Sequence, residues 1–454
     1  MITLTLAEIA QAVGGQLIGA DLSIAGVSID TRKVMAGDLY IAIVGEQFDG
    51  HDFIEQAKDC GAVAILTTHN VATPLAQIIV TDTRLALAKL AGLVRDKVQP
   101  KVCGITGSNG KTTAKEMLAT ILAVKYQVLF TQGNLNNDIG VPLTLLGLQE
   151  GDQYAVVEMG ANHIGEIAYT SQYAQPDVAV ITNVGAAHIE GFGSIDGVAT
   201  AKAEIIQSLA NDGVAILNAD DAYFSKWRSI AEPRKVIAFG VSPDADVRAE
   251  NISSAGVEQH FNMQFDLLVA QNRVPITLAL AGEHNVKNAL AASAAAIALG
   301  TSLEQIQQGL QQVKAVQGRL QLGIALTGGR IINDTYNANP SSLAAALQVL
   351  KDCSGELWCA LGDFGELGAG SKQIHHDMGV AIKQAGVTRL FAIGVMAKHS
   401  VQAFGKGAEH FATHENLISV LQQSMTAETV LLVKGSRAQK MERVVNALLL
   451  KVEK

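Results

Sequence analysis

The stretch KVCGITGSNGKTT, residues 101–113, decides how the chain is read. A short apolar run, Lys101–Thr106, gives way to Gly107, Ser108, Asn109, Gly110, Lys111, Thr112 and Thr113, and a helical pattern follows. Glycines let backbone N–H groups come close to phosphate oxygens, and the helix that opens behind them presents its positive end. In such a loop the lysine, here Lys111, reaches the outer phosphates of a nucleotide, and the hydroxyl of Thr112 is a ligand for Mg²⁺. The strict form of the motif has a further glycine where Ile105 stands. That departure points away from a generic P-loop kinase and towards a narrower family.

Outward from this loop the pattern is α/β. The runs Tyr154–Met159, Asp177–Val184 and Gly213–Asn218 read as buried strands, and helical stretches alternate with them, as in a largely parallel sheet. The region 244–281 breaks the alternation and reads as a small antiparallel addition. Before the loop, Leu39–Gly45 and Ala62–Thr68 are strand-like, with a helix between them that Gly61 ends. Beyond Gln317, the stretches GRIINDTYN, ELWCALGDF, RLFAIG and TVLLVKG each run as a strand into a polar or glycine-rich turn. Ligands of such sheets bind at the carboxyl ends of the strands. Three α/β domains are expected, over residues 1–82, 83–313 and 314–454. The central one, which carries the glycine-rich loop, is expected to bind ATP, and the last is expected to be Rossmann-like.

Bulk properties narrow the function. At roughly 150 residues per domain, 454 residues fit three domains. A net charge of −9 argues against a nucleic-acid binder, which carries a basic footprint. No apolar run approaches the roughly 20 residues that a membrane span needs, and MITLTLAEIAQAVGG lacks the basic start of a signal peptide. The four cysteines, Cys60, Cys103, Cys353 and Cys359, form no C-x-x-C pair. They read as reduced thiols of a cytoplasmic protein.

Six further stretches, in order, complete the picture: GNLNNDIGVPLTLL (133–146), VVEMGANHIGEI (156–167), ITNVGAAHIEGFGS (181–194), GEHNVKNALAA (282–292), INDTYNANPSS (332–342) and LGDFGELG (361–368). With the loop TGSNGKTT they span nearly the whole chain. The chain resembles the Mur ligases, and most of all the type that adds D-alanyl-D-alanine to a UDP-muramoyl-tripeptide of the cell wall. Phe364 stands where that type commonly has Met, and the D-N-P-R motif of the neighbouring diaminopimelate- or lysine-adding ligase is absent.

The resemblance implies a site. ATP would lie on residues 107–113, with Asn288 at the adenine, Arg319 at the phosphates and Asp334 at the ribose. Two Mg²⁺ ions would be held by Thr112, Glu158, His188 and Lys202, the last carbamylated by CO₂. A buried lysine suits that modification because only the neutral amine reacts. Ser28, Asp30, Thr31, Arg32, Asp49, Gly50 and His51 would hold the UDP part of the precursor, and Asn134, Asn136 and Asn137 its muramoyl-peptide. Tyr336, Asn337, Asn339, Asp363, Glu366 and His375 would meet the incoming D-Ala-D-Ala. The implied reaction passes through an acyl phosphate, with Lys111, His188 and Lys202 at the chemistry, in a cytoplasmic monomer. Another Mur ligase or a folylpolyglutamate synthetase is the alternative within the class. A non-ligating ATP switch is the alternative outside it.

Overall fold

The computed structural model describes residues 1–45, 47–185, 189–257 and 260–450. His188, expected at the metal, lies outside the described residues. The architecture is the expected α/β one, built on three mixed but mostly parallel sheets and one short antiparallel ribbon.

The first sheet has five strands in the order Gln16–Ile18, Ala76–Ile79, Ala64–Thr67, Asp38–Ile41 and Gly26–Ser28, all parallel except the Gln16–Ile18 pairing. The helix expected between its central strands is Ile54–Asp59, followed by Gly61 at φ 107°. Helix Thr83–Val98 comes next. Asp82 caps its start by accepting from the N–H groups of Arg84 and Leu85. One face of this helix packs on Leu6–Val13, the other on Gly140–Leu145 and Glu166–Ala174, so a single apolar core runs from the first sheet into the central one.

The central sheet has nine strands. Its parallel part runs Val128–Phe130, Tyr154–Glu158, Lys101–Thr106, Val178–Ile181, Val214–Asn218, Lys235–Gly240. The chain leaves Lys101–Thr106 to build one side and later returns to build the other. That strand is the topological switch point, and the crevice beyond its carboxyl end is where such sheets bind ligands. The antiparallel addition is present as Val247–Val257, His260–Val269 and Asn272–Leu278, antiparallel to one another, and its first strand joins the same sheet parallel to Lys235–Gly240. Edge strand Val128–Phe130 and strand Lys235–Gly240 were not read from the sequence. Strand Val178–Ile181 is shorter than expected, because Thr182, Asn183 and Gly185 bond instead to the glycine-rich loop at Ser108 and Asn109.

The last sheet has six strands in the order Gln321–Ile324, Arg330–Asp334, Thr429–Lys434, Glu356–Gly362, Arg389–Ile393 and Ala408–Phe411. Only Gln321–Ile324 is antiparallel to its neighbour. Helix Pro340–Lys351 starts from a capping box on Asn339 with proline at its first position. That cap faces the glycine-rich loop of the central sheet.

Candidate functional site

Gly107 and Gly110 both have positive φ, 150° and 82°, and Gly110 caps helix Lys111–Ala123 in the left-handed region. A Cβ on Gly110 would lie 2.1 Å from Asn288 Oδ1, so only glycine lets Asn288 close against the loop. Lys111 Nζ donates to the carbonyl of Gly107 (2.7 Å), folding the lysine along its own loop. Burial pulls the Lys111 pKa down; Glu158 opposes this and the charge of Arg319 adds to it.

The loop is clamped from behind. Asn183 accepts from Asn109 N–H (3.0 Å) and donates from Nδ2 to the Asn109 carbonyl (3.0 Å). Thr182 Oγ1 donates to the same carbonyl (2.6 Å), and Ser108 Oγ and Gly185 exchange hydrogen bonds. It is also met from the front. Asn109 Nδ2 donates to Ser341 Oγ (2.9 Å), Ser341 Oγ donates to Asn339 Oδ1 (2.8 Å), and Asn339 Nδ2 donates to Asn109 Oδ1 (2.8 Å). These three side chains close a ring between the central and last sheets. Arg319 crosses the same gap. Its Nη2 donates to Thr112 Oγ1 (2.9 Å) and its guanidinium lies 4.4 Å from the centroid of the Tyr336 ring.

Glu158 ends its strand 2% exposed. Its Oε1 accepts from Asn136 Nδ2 (2.8 Å), while Oε2 is buried with no hydrogen-bond partner among the described residues. A buried carboxylate oxygen left open costs free energy unless something binds it. Lys202, on helix Ile195–Gln207, is 4% exposed, and its pKa lies well below the usual lysine range, through burial first and the charge of Lys111 second. Glu158, Lys202, Lys111, Thr112, Asn134, Asn136 and Asn137 line one cavity of about 280 Å³ with Arg319, Asp334, Tyr336, Asn337, Asn339 and Glu366. Glu166 and Asn162 are also on its wall. Among the described residues no group of three or more His, Cys, Asp or Glu side chains forms a ready metal cage. An open Glu158 oxygen and the Thr112 hydroxyl fit an oxygen-seeking cation, and Lys202 would add an oxygen ligand if it carried a carbamate.

On the other side of Gly110 lies a second cavity of about 360 Å³, lined by Asn288, Thr113, Asn183, Asp220, His284, Lys287 and Asp334 among others. Asn288 Nδ2 donates to Asn285 Oδ1 (3.1 Å). Asp220 is paired with Lys287 (2.9 Å) and accepts from the N–H groups of Val241 and Ser242. Asp334 lines both cavities, but its carboxylate already binds the buried Lys434 ammonium (2.5 Å) and the Leu320 N–H (3.3 Å).

Other expected residues sit in local structure. Asp30 caps the short turn Thr31–Lys33 and pairs with Arg32, which holds its carboxyl at about 2. Ser28 Oγ donates to the Asp30 carbonyl. Asp49 accepts from His51 N–H and sits 2.6 Å from its Nδ1, while Thr68 N–H donates to His51 Nε2. Gly50 is tight against the Ile43 backbone. None of these first-sheet residues lines either cavity. Asp363 accepts from Ala397 N–H (2.7 Å) and packs under Gly394. His375 is fully buried: Phe364 N–H donates to its Nε2 (3.1 Å) and its Nδ1 lies 2.7 Å from the Ser371 carbonyl. It stands behind the 361–368 loop, and that loop carries Glu366, at φ 62°, into the cavity.

Sequence reasoning missed Asn183, Lys287, Asp220 and His284. The signal for Asn183 was present in ITNVG at a strand end, but nothing local says which loop an asparagine will clamp.

Three family models match the chain: the Mur ligase family, catalytic domain, over residues 23–95, the Mur ligase middle domain over 105–296, and the Mur ligase, glutamate ligase domain, over 318–437. The UDP-N-acetylmuramoyl-tripeptide--D-alanyl-D-alanine ligase of Escherichia coli is 44% identical, covering 99% of each chain. A crystal structure of MurF from Acinetobacter baumannii is similar at TM-score 0.92 and 39% identity, over 98% of each chain. The MurF ligase of Thermotoga maritima in complex with ADP is similar at TM-score 0.83 and 29% identity, over 93% of this chain and 96% of that one.

Proposed function

This chain belongs to the Mur ligase family, and from that premise we propose that it joins D-alanyl-D-alanine to UDP-N-acetylmuramoyl-tripeptide at the cost of ATP. The observation that carries the proposal is the single cavity in which the phosphate loop, the open carboxylate of Glu158 and Lys202 face a polar wall from the last sheet. A nucleotide-driven ligase needs those two walls, one to deliver phosphate and one to present the amine.

In this reading ATP lies with its phosphates on residues 107–113 and its base in the cavity lined by Asn288 and His284. Lys111 leaves the Gly107 carbonyl to follow the γ-phosphoryl group, and Arg319 stabilises the charge that develops there. Transfer to the terminal carboxylate of the tripeptide gives an acyl phosphate, with ADP as the leaving group. The dipeptide amine attacks that carbonyl, and phosphate leaves from the tetrahedral intermediate. Thr112, Glu158 and carbamylated Lys202, with His188, would hold two Mg²⁺ ions, which neutralise phosphate charge when bound. Asn134, Asn136 and Asn137 face the muramoyl-peptide, and Tyr336, Asn337, Asn339 and Glu366 the dipeptide. Ser28, Asp30, Thr31, Arg32, Asp49, Gly50 and His51 receive the UDP end, away from the cavity. Asp363 and His375 act by shaping the loop behind Glu366. Residues 1–82, 83–313 and 314–454 are the corresponding units of a cytoplasmic monomer. No helix among the described residues is long and apolar enough to cross a membrane.

The test is phosphate release with ATP, Mg²⁺ and UDP-N-acetylmuramoyl-tripeptide, with and without D-Ala-D-Ala. Release that requires the dipeptide is expected. Release driven instead by glutamate or diaminopimelate would move the chain to another branch of the family. Nucleotide binding without release would leave only the switch.

A further inference from the structure

Lys115 is buried completely, four residues along the helix from Lys111. A buried ammonium is costly unless it is paired and hydrogen-bonded. Its Nζ donates to the Thr131 carbonyl (2.5 Å), pairs with Glu116 (2.7 Å) and lies 5.4 Å from the centroid of the Phe130 ring. Thr131 is the residue just past edge strand Val128–Phe130, and it too is completely buried. Its Oγ1 accepts from the backbone N–H of Glu158 (3.0 Å). Its own N–H donates to the Val156 carbonyl, two residues before Glu158. A chain of contacts thus joins the phosphate-loop helix to the carboxylate: Lys115 to Thr131, Thr131 to Glu158.

We infer that Lys115 is a positioning residue which, through Thr131, sets the distance between the Glu158 carboxylate and the Thr112 hydroxyl and so tunes the affinity for a divalent cation at the nucleotide phosphates. The inference rests on the reading of Glu158 and Thr112 as cation ligands. The geometry gives a physical reason. Thr112 and Lys115 are three residues apart on one helix, so the anchor of Lys115 fixes that helix against the strand end carrying Glu158. Strand Val128–Phe130 is an edge strand with one ladder partner, Tyr154–Glu158, and it packs on the same helix, so the Lys115 contact is a polar tie between that helix and the end of the strand. Groups that orient a metal ligand typically change metal affinity 10- to 100-fold when removed.

The experiment titrates Mn²⁺ into the full chain with ADP, read by the electron paramagnetic resonance of free Mn²⁺, and titrates ADP alone with chelator present. Lys115→Met keeps the length and buries no charge. It is expected to weaken Mn²⁺ about 10- to 100-fold and to leave metal-free ADP binding unchanged. Thr131→Val, which removes only the acceptor for Glu158 N–H, is expected to do the same, and Thr131→Ser to retain wild-type affinity. Mn²⁺ affinity at the wild-type level in both Lys115→Met and Thr131→Val overturns the inference. Equal loss of metal-free ADP binding and of Mn²⁺ also overturns it, because that is what a merely structural lysine would give. Should the wild type and Glu158→Gln bind Mn²⁺ alike, the reading of Glu158 itself fails, which is a separate result.

Discussion

The ring Asn109–Ser341–Asn339 predicts a measurable coupling between the phosphate loop and the last sheet. Asn109→Ala removes two hydrogen bonds across the gap, one exposed and one partly buried. It leaves the Asn109 backbone in the grip of Asn183 and Thr182. Neutral side-chain hydrogen bonds contribute roughly 0.5–1.5 kcal/mol each, and these two belong in the lower half of that range because water competes at one of them. An arrangement closed by this ring should lose about 1–2 kcal/mol relative to any in which the two sheets stand apart, a factor of about 5–30. ADP would touch groups on both sides of the gap, so its apparent affinity falls with the closed fraction and by no more than that factor. Ser341→Ala removes one of the two bridges, and its loss should be about half as large in free energy. Calorimetric titration of ADP gives the affinities, and the small-angle scattering radius shows whether the variants open. Unchanged affinity and unchanged radius in Asn109→Ala would refute the coupling. So would a larger effect from Ser341→Ala than from Asn109→Ala.

Gly110→Ala forces a side chain into left-handed backbone, at roughly 1–2 kcal/mol, and against Asn288 Oδ1; ADP affinity should fall at least tenfold and Tm by a few degrees, and wild-type values in both would contradict the packing described. His284 is held at about 4, below its ordinary 6.5, by burial first, with Lys434 adding to the shift and Asp334 opposing it. As pH falls through that window the unfolded chain binds the proton first, so this contribution, about 3 kcal/mol at most, is complete at pH 7 and disappears between about 6.5 and 4. Tm of the wild type should therefore drop more between pH 7 and pH 4.5 than that of His284→Asn, and parallel profiles would dispose of the assignment. Lys202→Ala should abolish phosphate release, and short-chain carboxylates should restore part of it by supplying the missing anionic oxygen; full activity in the unrescued variant would exclude the carbamate.

How much of this was legible beforehand depends on the range of the interaction. The strand–turn–helix form of the glycine-rich loop was readable because its signals are local: glycine spacing, a strand before it and a helix after it begin within thirteen residues. The α/β character and the antiparallel addition were readable for the same reason, from hydrophobic period. Strand Val128–Phe130 escaped, being three residues long at an edge with no period to detect. His375 looked like a residue for substrate, and only packing shows that both of its nitrogens are spent on backbone behind the loop.

By itself, then, the sequence determined the class of fold and the glycine-rich turn between strand Lys101–Thr106 and helix Lys111–Ala123, since these follow from neighbours along the chain. The tertiary structure alone decided which asparagine clamps the loop and that Asp334 is bound to a lysine 100 residues away. It alone decided that one oxygen of Glu158 stays open while Lys115 donates to Thr131, whose hydroxyl oxygen accepts from the Glu158 N–H. Those outcomes depend on which strand ends and helix starts come within 3 Å of each other, and a chain's local pattern carries no record of that distance.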